Sequence, residues 1–105
     1  MAEFLVVLTT CPDETTATRI ARELLESGLA ACITQQAVRS LYRWQGRIED
    51  EPEVLLLIKT HSRRFADLEM RLKSLHPYDV PEIIALPIAA GSAAYLAWLG
   101  AEVAS

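Results

Sequence analysis

Three stretches of this chain are apolar at consecutive positions: FLVVL at 4–8, VLLLI at 54–58 and IIAL at 83–86. A strand with one face in water alternates apolar and polar residues, and these stretches do not. A sheet built from them carries apolar side chains on both faces. Each such side chain gains roughly 1.5–3 kcal/mol on burial, so both faces need covering. That requirement constrains everything else the chain can do.

The segments between the strands supply one cover. Residues 13–27 read as a helix, with Ala17, Ile20, Ala21, Leu24 and Leu25 on one stripe and Arg19, Arg22, Glu23 and Glu26 facing away. Asp13 and Glu14 suit its positive N-terminal end and Gly28 its stop. AACITQQAVRSLYRW reads as a long strand, bulged around Gln35–Ala37, and QGRIEDEP holds the turn into a strand from Glu53 to Thr60. Tyr42, Trp44 and Gly46 mark the tip of that hairpin. Ser62 is the expected N-cap of a second helix reaching Leu75, with Phe65, Leu68, Leu72 and Leu75 inward. PEIIALPIA reads as a fourth strand, whose Pro87 suits a strand end, an edge or a bulge. A last helix spans about Ser92 to Glu102, offering Tyr95, Leu96, Trp98 and Leu99 for packing.

The order is βαββαβ plus a C-terminal helix, an α+β ferredoxin-like two-layer sandwich in one domain over residues 1–105. Both long helices of that arrangement cover the same face. The last helix is too short to cover the whole of the other, so self-association is the expected cover. The alternative is that the last helix and the bulged hairpin fold back over it. A hydrophobic content of 51% fits a surplus of apolar surface.

Ten basic and fourteen acidic residues give a net charge of −4 with no basic run, which argues against nucleic acid or an anionic membrane as partner. The N-terminal apolar run is only five residues with no basic flank, unlike a signal peptide or membrane span. Two cysteines outside any C-x-x-C pair read as free thiols, and a cytoplasmic location is expected.

The topology sorts the reactive side chains by sheet end. The first strand finishes where the fourth begins, so Cys11 shares an end with HPYDVPE, which carries His76, Tyr78, Asp79 and Glu82. Cys32 opens the second strand at the other end, near His61. An eight-residue strand spans about 25 Å, so an intrachain Cys11–Cys32 disulfide is excluded. Cys11, His76 and Glu82 offer thiolate, imidazole and carboxylate to copper or zinc. Each also has a plainer reading: Cys11 as a small half-buried loop residue, Cys32 as core packing, and His76 as a helix-closing imidazole. Lys59 ends a buried strand, paired or held out to solvent. Arg43 and Arg47 flank Trp44, placed to clasp an anion or acids such as EDEPE. No asparagine, G-x-S-x-G or glycine-rich phosphate loop is present, so acylphosphatase, hydrolase and nucleotide-binding readings fail and no enzyme is expected. An RNA-recognition domain would need a basic sheet with exposed central aromatics.

VLTTCPDE, LAAC, SLYRWQG, EVLLLIKT, LHPYDVPEI and YLAWL, in this order, make the chain resemble the CutA divalent-cation tolerance family. The resemblance implies a ferredoxin-like fold assembled as a homotrimer of PII-like architecture, with hairpins reaching between subunits. It places Tyr42, Arg43, Trp44 and Gln45, with Trp98, at subunit contacts or the cleft between subunits. It implies a link to copper(II) or another divalent cation, with Cys11, Cys32 and His76 as candidate ligands and Glu82 nearby. Two functions follow as expectations. One is a trimer that binds divalent cations, chiefly copper. The other is a PII-like sensor taking a small anion, through Arg43, Arg47 and Lys59, or a protein in its intersubunit clefts.

Overall fold

The computed structural model describes residues 2–105. Its four strands are β1 (Phe4–Cys11), β2 (Cys32–Trp44), β3 (Arg47–His61) and β4 (Ile84–Pro87). They form one antiparallel sheet in the order β2-β3-β1-β4. Helices α1 (Glu14–Glu26) and α2 (Phe65–Leu75) connect them, and α3 (Ala93–Glu102) follows β4. The expected ferredoxin-like α+β order is therefore observed.

Alternation along β1 shows how the sheet divides its side chains. Leu5, Val7, Thr9 and Cys11 are buried, while Phe4, Val6, Leu8 and Thr10 are half-buried. Cross-strand partners share a face, so Val7 lies beside Ile58, and Leu5 beside Thr60. Val7, Leu56 and Ile58 pack with Ile20 and Leu24 of α1 and Leu68 and Leu72 of α2 in the main core. Asp13 caps α1 by accepting from the Thr16 amide at 2.7 Å. Gly28 takes φ +73° just after the helix, and the Leu29 amide closes onto the Leu24 carbonyl.

Several local expectations change. Leu25 is exposed rather than part of the buried stripe. β2 pairs with β3 without interruption from Cys32↔Lys59 to Trp44↔Arg47, so there is no bulge at Gln35–Ala37. The turn is only Gln45 and Gly46, at φ +50° and +78°, the positive pair that a two-residue type I′ hairpin needs. β3 consequently begins at Arg47 rather than Glu53. Pro52 is tolerated because β1 ends opposite Val54, leaving that edge of β3 unpaired beyond it. Residues 38–44 and 47–53 thus form a two-stranded arm extending past the sheet. Ser62 opens a short 3₁₀ turn instead of capping α2, and His61 caps that turn, its Nδ1 accepting from the Arg63 amide at 3.0 Å. Pro87 closes β4 on the sheet edge, in accord with its sequence reading.

The second face is only partly covered. α3 crosses the end holding Phe4 and Lys59, with Gly100 packed beside the Phe4 ring and Tyr95 beside Lys59. Leu8, Leu55 and Leu57 stay half-buried in mid-face, and Ile84 and Leu86 on the neighbouring edge strand remain 49% and 48% exposed.

Candidate functional site

The loop from His76 to Ile83 returns the chain from α2 to β4 across the end of the sheet where β1 stops. His76 anchors it. Its Nε2 lies 2.8 Å from the Thr10 carbonyl oxygen, and its Nδ1 accepts from the Tyr78 amide at 3.2 Å. One ring nitrogen donates and the other accepts, which is the neutral imidazole. Burial holds the His76 pKa below its ordinary value, against the opposing pull of the Thr10 bond and the nearby Glu53 charge. The Tyr78 ring packs 4.7 Å from the imidazole and its hydroxyl donates to Glu53 Oε2 at 2.6 Å.

Glu53 is the residue that the sequence reading passed over. It is 6% exposed, on the same face as Leu55 and directly opposite Val38. No Lys, Arg or His pairs with it among the described residues. Burial, then the bond to Glu53 and its charge, push the Tyr78 phenol pKa upward. Burial and the charges of Glu51, Glu53 and Glu49 raise that of Tyr42. The signal was present in the sequence: an acidic residue at a position that, by strand alternation, belongs to an apolar face. It was masked by its place within EDEPE, which reads as a solvated acid run.

Glu53 and Tyr78 line the inner wall of a cleft of about 750 Å³ between the root of the arm and the loop. Tyr42, Trp44 and Leu41 contribute from β2, and Asp79, Val80, Pro81 and Glu82 from the loop. Arg39 also borders it, but its guanidinium is held by both carboxylate oxygens of Asp50. The cleft is therefore aromatic and acidic.

The other candidates lie elsewhere. Cys11 shares the sheet end with His76, as the topology implied, but its side chain is fully buried in the core between sheet and helices. It is a strand residue, not a half-buried loop residue. Burial, with the Glu53 and Asp13 charges, pushes its thiol up to about 11, so the nucleophilic and metal-binding thiolate is suppressed. Glu82 is exposed on the cleft rim. Cys32 is half-buried at the opposite end, where Lys59 Nζ approaches its sulfur at 4.0 Å. Lys59 also stands 5.8 Å from the centre of the Tyr95 ring. Arg47 leans toward Glu49 at 3.8 Å, and twelve residues of strand, about 40 Å, separate it from Lys59. Arg43 is exposed near the arm tip. Trp98 packs at a tilt against Tyr95 at 5.5 Å, the ring that Lys59 approaches, away from the arm. Among the described residues, no three His, Cys, Asp or Glu side chains form a group able to hold a metal ion. None of the helices described is long and apolar enough to cross a membrane.

Comparison with known proteins is consistent across sequence and structure. Residues 5–102 match the family model described as CutA1 divalent ion tolerance protein. The divalent-cation tolerance protein CutA of Thermus thermophilus is 52% identical over 90% of this chain and 92% of its own. The crystal structure of CutA1 from Shewanella sp. SIB1 superposes with a TM-score of 0.95 at 42% identity, covering 99% of this chain and 98% of that one. A structure from Archaeoglobus fulgidus, named a periplasmic divalent cation tolerance protein, gives 0.94 at 36% identity, covering 96% and 99%.

Proposed function

The chain belongs to the CutA1 family of divalent ion tolerance proteins, and from that premise we propose that it acts as a homotrimer that binds divalent cations, copper(II) chiefly. The observation carrying the assembly is the uncovered strip of Leu8, Leu55, Leu57, Ile84 and Leu86 between α3 and the 76–83 loop, beside an arm that extends past the sheet. A second and third copy bury that strip and give the arm something to pack on. Among the described residues of one chain, no three donors converge on a cation. The cation site is therefore assigned between subunits, with Cys32 and Glu82 as candidate donors; Cys11 is sealed from it, and both His76 nitrogens are taken up by the Thr10 carbonyl and the Tyr78 amide. A cytoplasmic location belongs to the same reading and is supported by two unpaired thiols.

Light scattering on the eluting protein is expected to give three times the chain mass of 11.7 kDa. A monomer at micromolar concentration would remove the assembly. Copper(II) titrated calorimetrically at pH 7 is expected to bind saturably, and equally well to Cys11→Ser. No saturable heat would remove the cation reading.

A PII-like sensor trimer is the second reading, favoured by a cleft of ligand size at the root of the arm, whose acidic and aromatic lining suits a protein segment rather than an anion. Of the basic residues expected to take an anion, Arg43 and Arg47 share the arm tip while Lys59 lies at the far end of β3, so a site using Lys59 with either arginine draws on different chains.

A further inference from the structure

His76 ties two parts of the chain together through its ring, and the tie holds only while the ring is neutral. Its Nε2 lies 2.8 Å from the Thr10 carbonyl oxygen of β1, and its Nδ1 accepts from the Tyr78 amide at 3.2 Å. Nε2 is therefore the donor and Nδ1 the bare acceptor. The two halves answer a proton differently. An imidazolium still donates to Thr10, and more strongly, because the bond becomes charge-assisted. Its Nδ1 can no longer accept, so two N–H groups face each other and the Tyr78 amide has to leave. Tyr78 leads the loop toward β4, packs its ring 4.7 Å from the imidazole and holds Glu53 through its hydroxyl at 2.6 Å. All of these bonds lie within one chain, so a second copy over the cleft covers the junction without replacing any partner.

We propose that the 76–83 loop is a proton-operated latch: a proton on His76 Nδ1 frees the Tyr78 amide and lets the loop swing off Glu53, while the ring stays on β1. The charged groups near the ring come from each neighbouring element. Glu53 of β3 favours the imidazolium, but burial opposes it and prevails, holding the His76 pKa below its ordinary value. Arg19 of α1 stands on the helix side, bonded to the Leu75 carbonyl, and supplies no countercharge. Lys73 of α2 is paired with Glu69. The Cys11 thiol of β1, pushed up to about 11, and the Tyr78 phenol, also raised, stay neutral. Asp79 is exposed. An open loop returns water to the imidazole, so release and protonation favour each other. The closed form prevails above the ordinary histidine value of about 6.5, and release grows as pH falls from there. The loop also leads into Ile84 and Leu86, part of the strip assigned to other copies. On the homotrimer reading, from which this last step follows, release loosens the assembly.

Hydrogen exchange on the full chain, read by NMR as protection factors at pH 7.5 and pH 5, tests the latch. Protection of the Tyr78 amide is expected to fall about tenfold, since each pH unit between the open and closed pKa values favours release by up to about tenfold. The Val6 and Leu8 amides of β1, which the latch does not touch, are expected to keep theirs. His76→Gln retains a donor and an acceptor but takes up no proton, and is expected to abolish the difference. If that variant fails to fold, Tyr78→Phe serves. It removes the bond to Glu53 that holds the loop closed, so release is expected at higher pH. Three results overturn the latch: equal Tyr78 protection at both pH values, the same fall in His76→Gln, or an unchanged release pH in Tyr78→Phe. Light scattering on diluted samples decides the link to assembly. Three chains at pH 7.5 that dissociate at pH 5 support it, and three chains at both overturn it. One chain at both removes the homotrimer reading instead, and the exchange data still decide the latch.

Discussion

The two faces of the sheet are built from the same strands and nearly the same residue types, yet they behave as different materials. On β3, Leu56, Ile58 and Thr60 point toward the helices and are fully buried, while Leu55, Leu57 and Lys59 point the other way and are half-buried. The covered face is sealed, and its one reactive group, Cys11, is silenced by that sealing. The open face collects the chemistry that remains available: Cys32 at one end, Glu53 and the cleft at the other. Covering converts a cysteine into packing, and incomplete covering leaves a buried carboxylate beside an open cleft.

Truncations on adjacent residues test this contrast most strongly. Leu56→Ala is expected to cost about 2–5 kcal/mol in urea unfolding, because the core around it relaxes only partly. Leu57→Ala is expected to cost less within the chain and to weaken the assembly, so that its loss of stability grows as the protein is diluted. Equal, concentration-independent losses would mean that the two faces are equivalent.

His76 sits where the faces meet, and His76→Ala is expected to cost roughly 1–3 kcal/mol by orphaning the Thr10 carbonyl and the Tyr78 amide. Its pH behaviour has a definite sign. The folded pKa is depressed, so the unfolded chain binds the extra proton first as pH falls. The contribution is complete above the ordinary histidine value of about 6.5 and is lost as pH falls from there through the folded pKa. Thermal melts between pH 7.5 and 5 are expected to show this slope, flattened in the His76→Ala variant.

Gly46→Ala places a side chain at φ +78° and is expected to cost about 1 kcal/mol or more. The larger consequence concerns register. A one-residue slip in the arm would exchange its faces and carry Tyr42 off the wall it shares with Glu53. Loss of the Tyr78–Glu53 contact by spectroscopy would reveal it.

The smallest effect is chemical. With a thiol-specific reagent at pH 8, one cysteine per native chain is expected to react, Cys32, and both after unfolding. Cys32→Ser should abolish the native reaction and Cys11→Ser should leave it unchanged. Two fast native thiols would break the distinction between the faces.

The strand and helix order was legible because apolar runs and a 3.6-residue stripe leave a direct imprint on sequence. The excess of apolar positions on a second face was legible for the same reason, and Leu55, Leu57, Ile84 and Leu86 bear it out. Boundaries were less legible where one residue type serves two states. Pro52 and the acids before it read as a turn, although a strand with a free edge accepts both. Ser62 read as a cap, although His61 is the residue whose nitrogen reaches the helix start.

The candidate site was legible only as a neighbourhood. Sequence alone determined that Cys11 and the His76 loop share one end of the sheet and that Cys32 lies at the other, because strand direction follows from connectivity. Tertiary structure decided which way each side chain faces and what it touches. It turned Cys11 into the core, closed both nitrogens of His76 into the backbone, and brought Tyr78 onto Glu53 across twenty-five residues. The physical reason is that strand periodicity assigns faces only once the register is known. That register depends on the two-residue turn at Gln45–Gly46, where φ is positive at both positions.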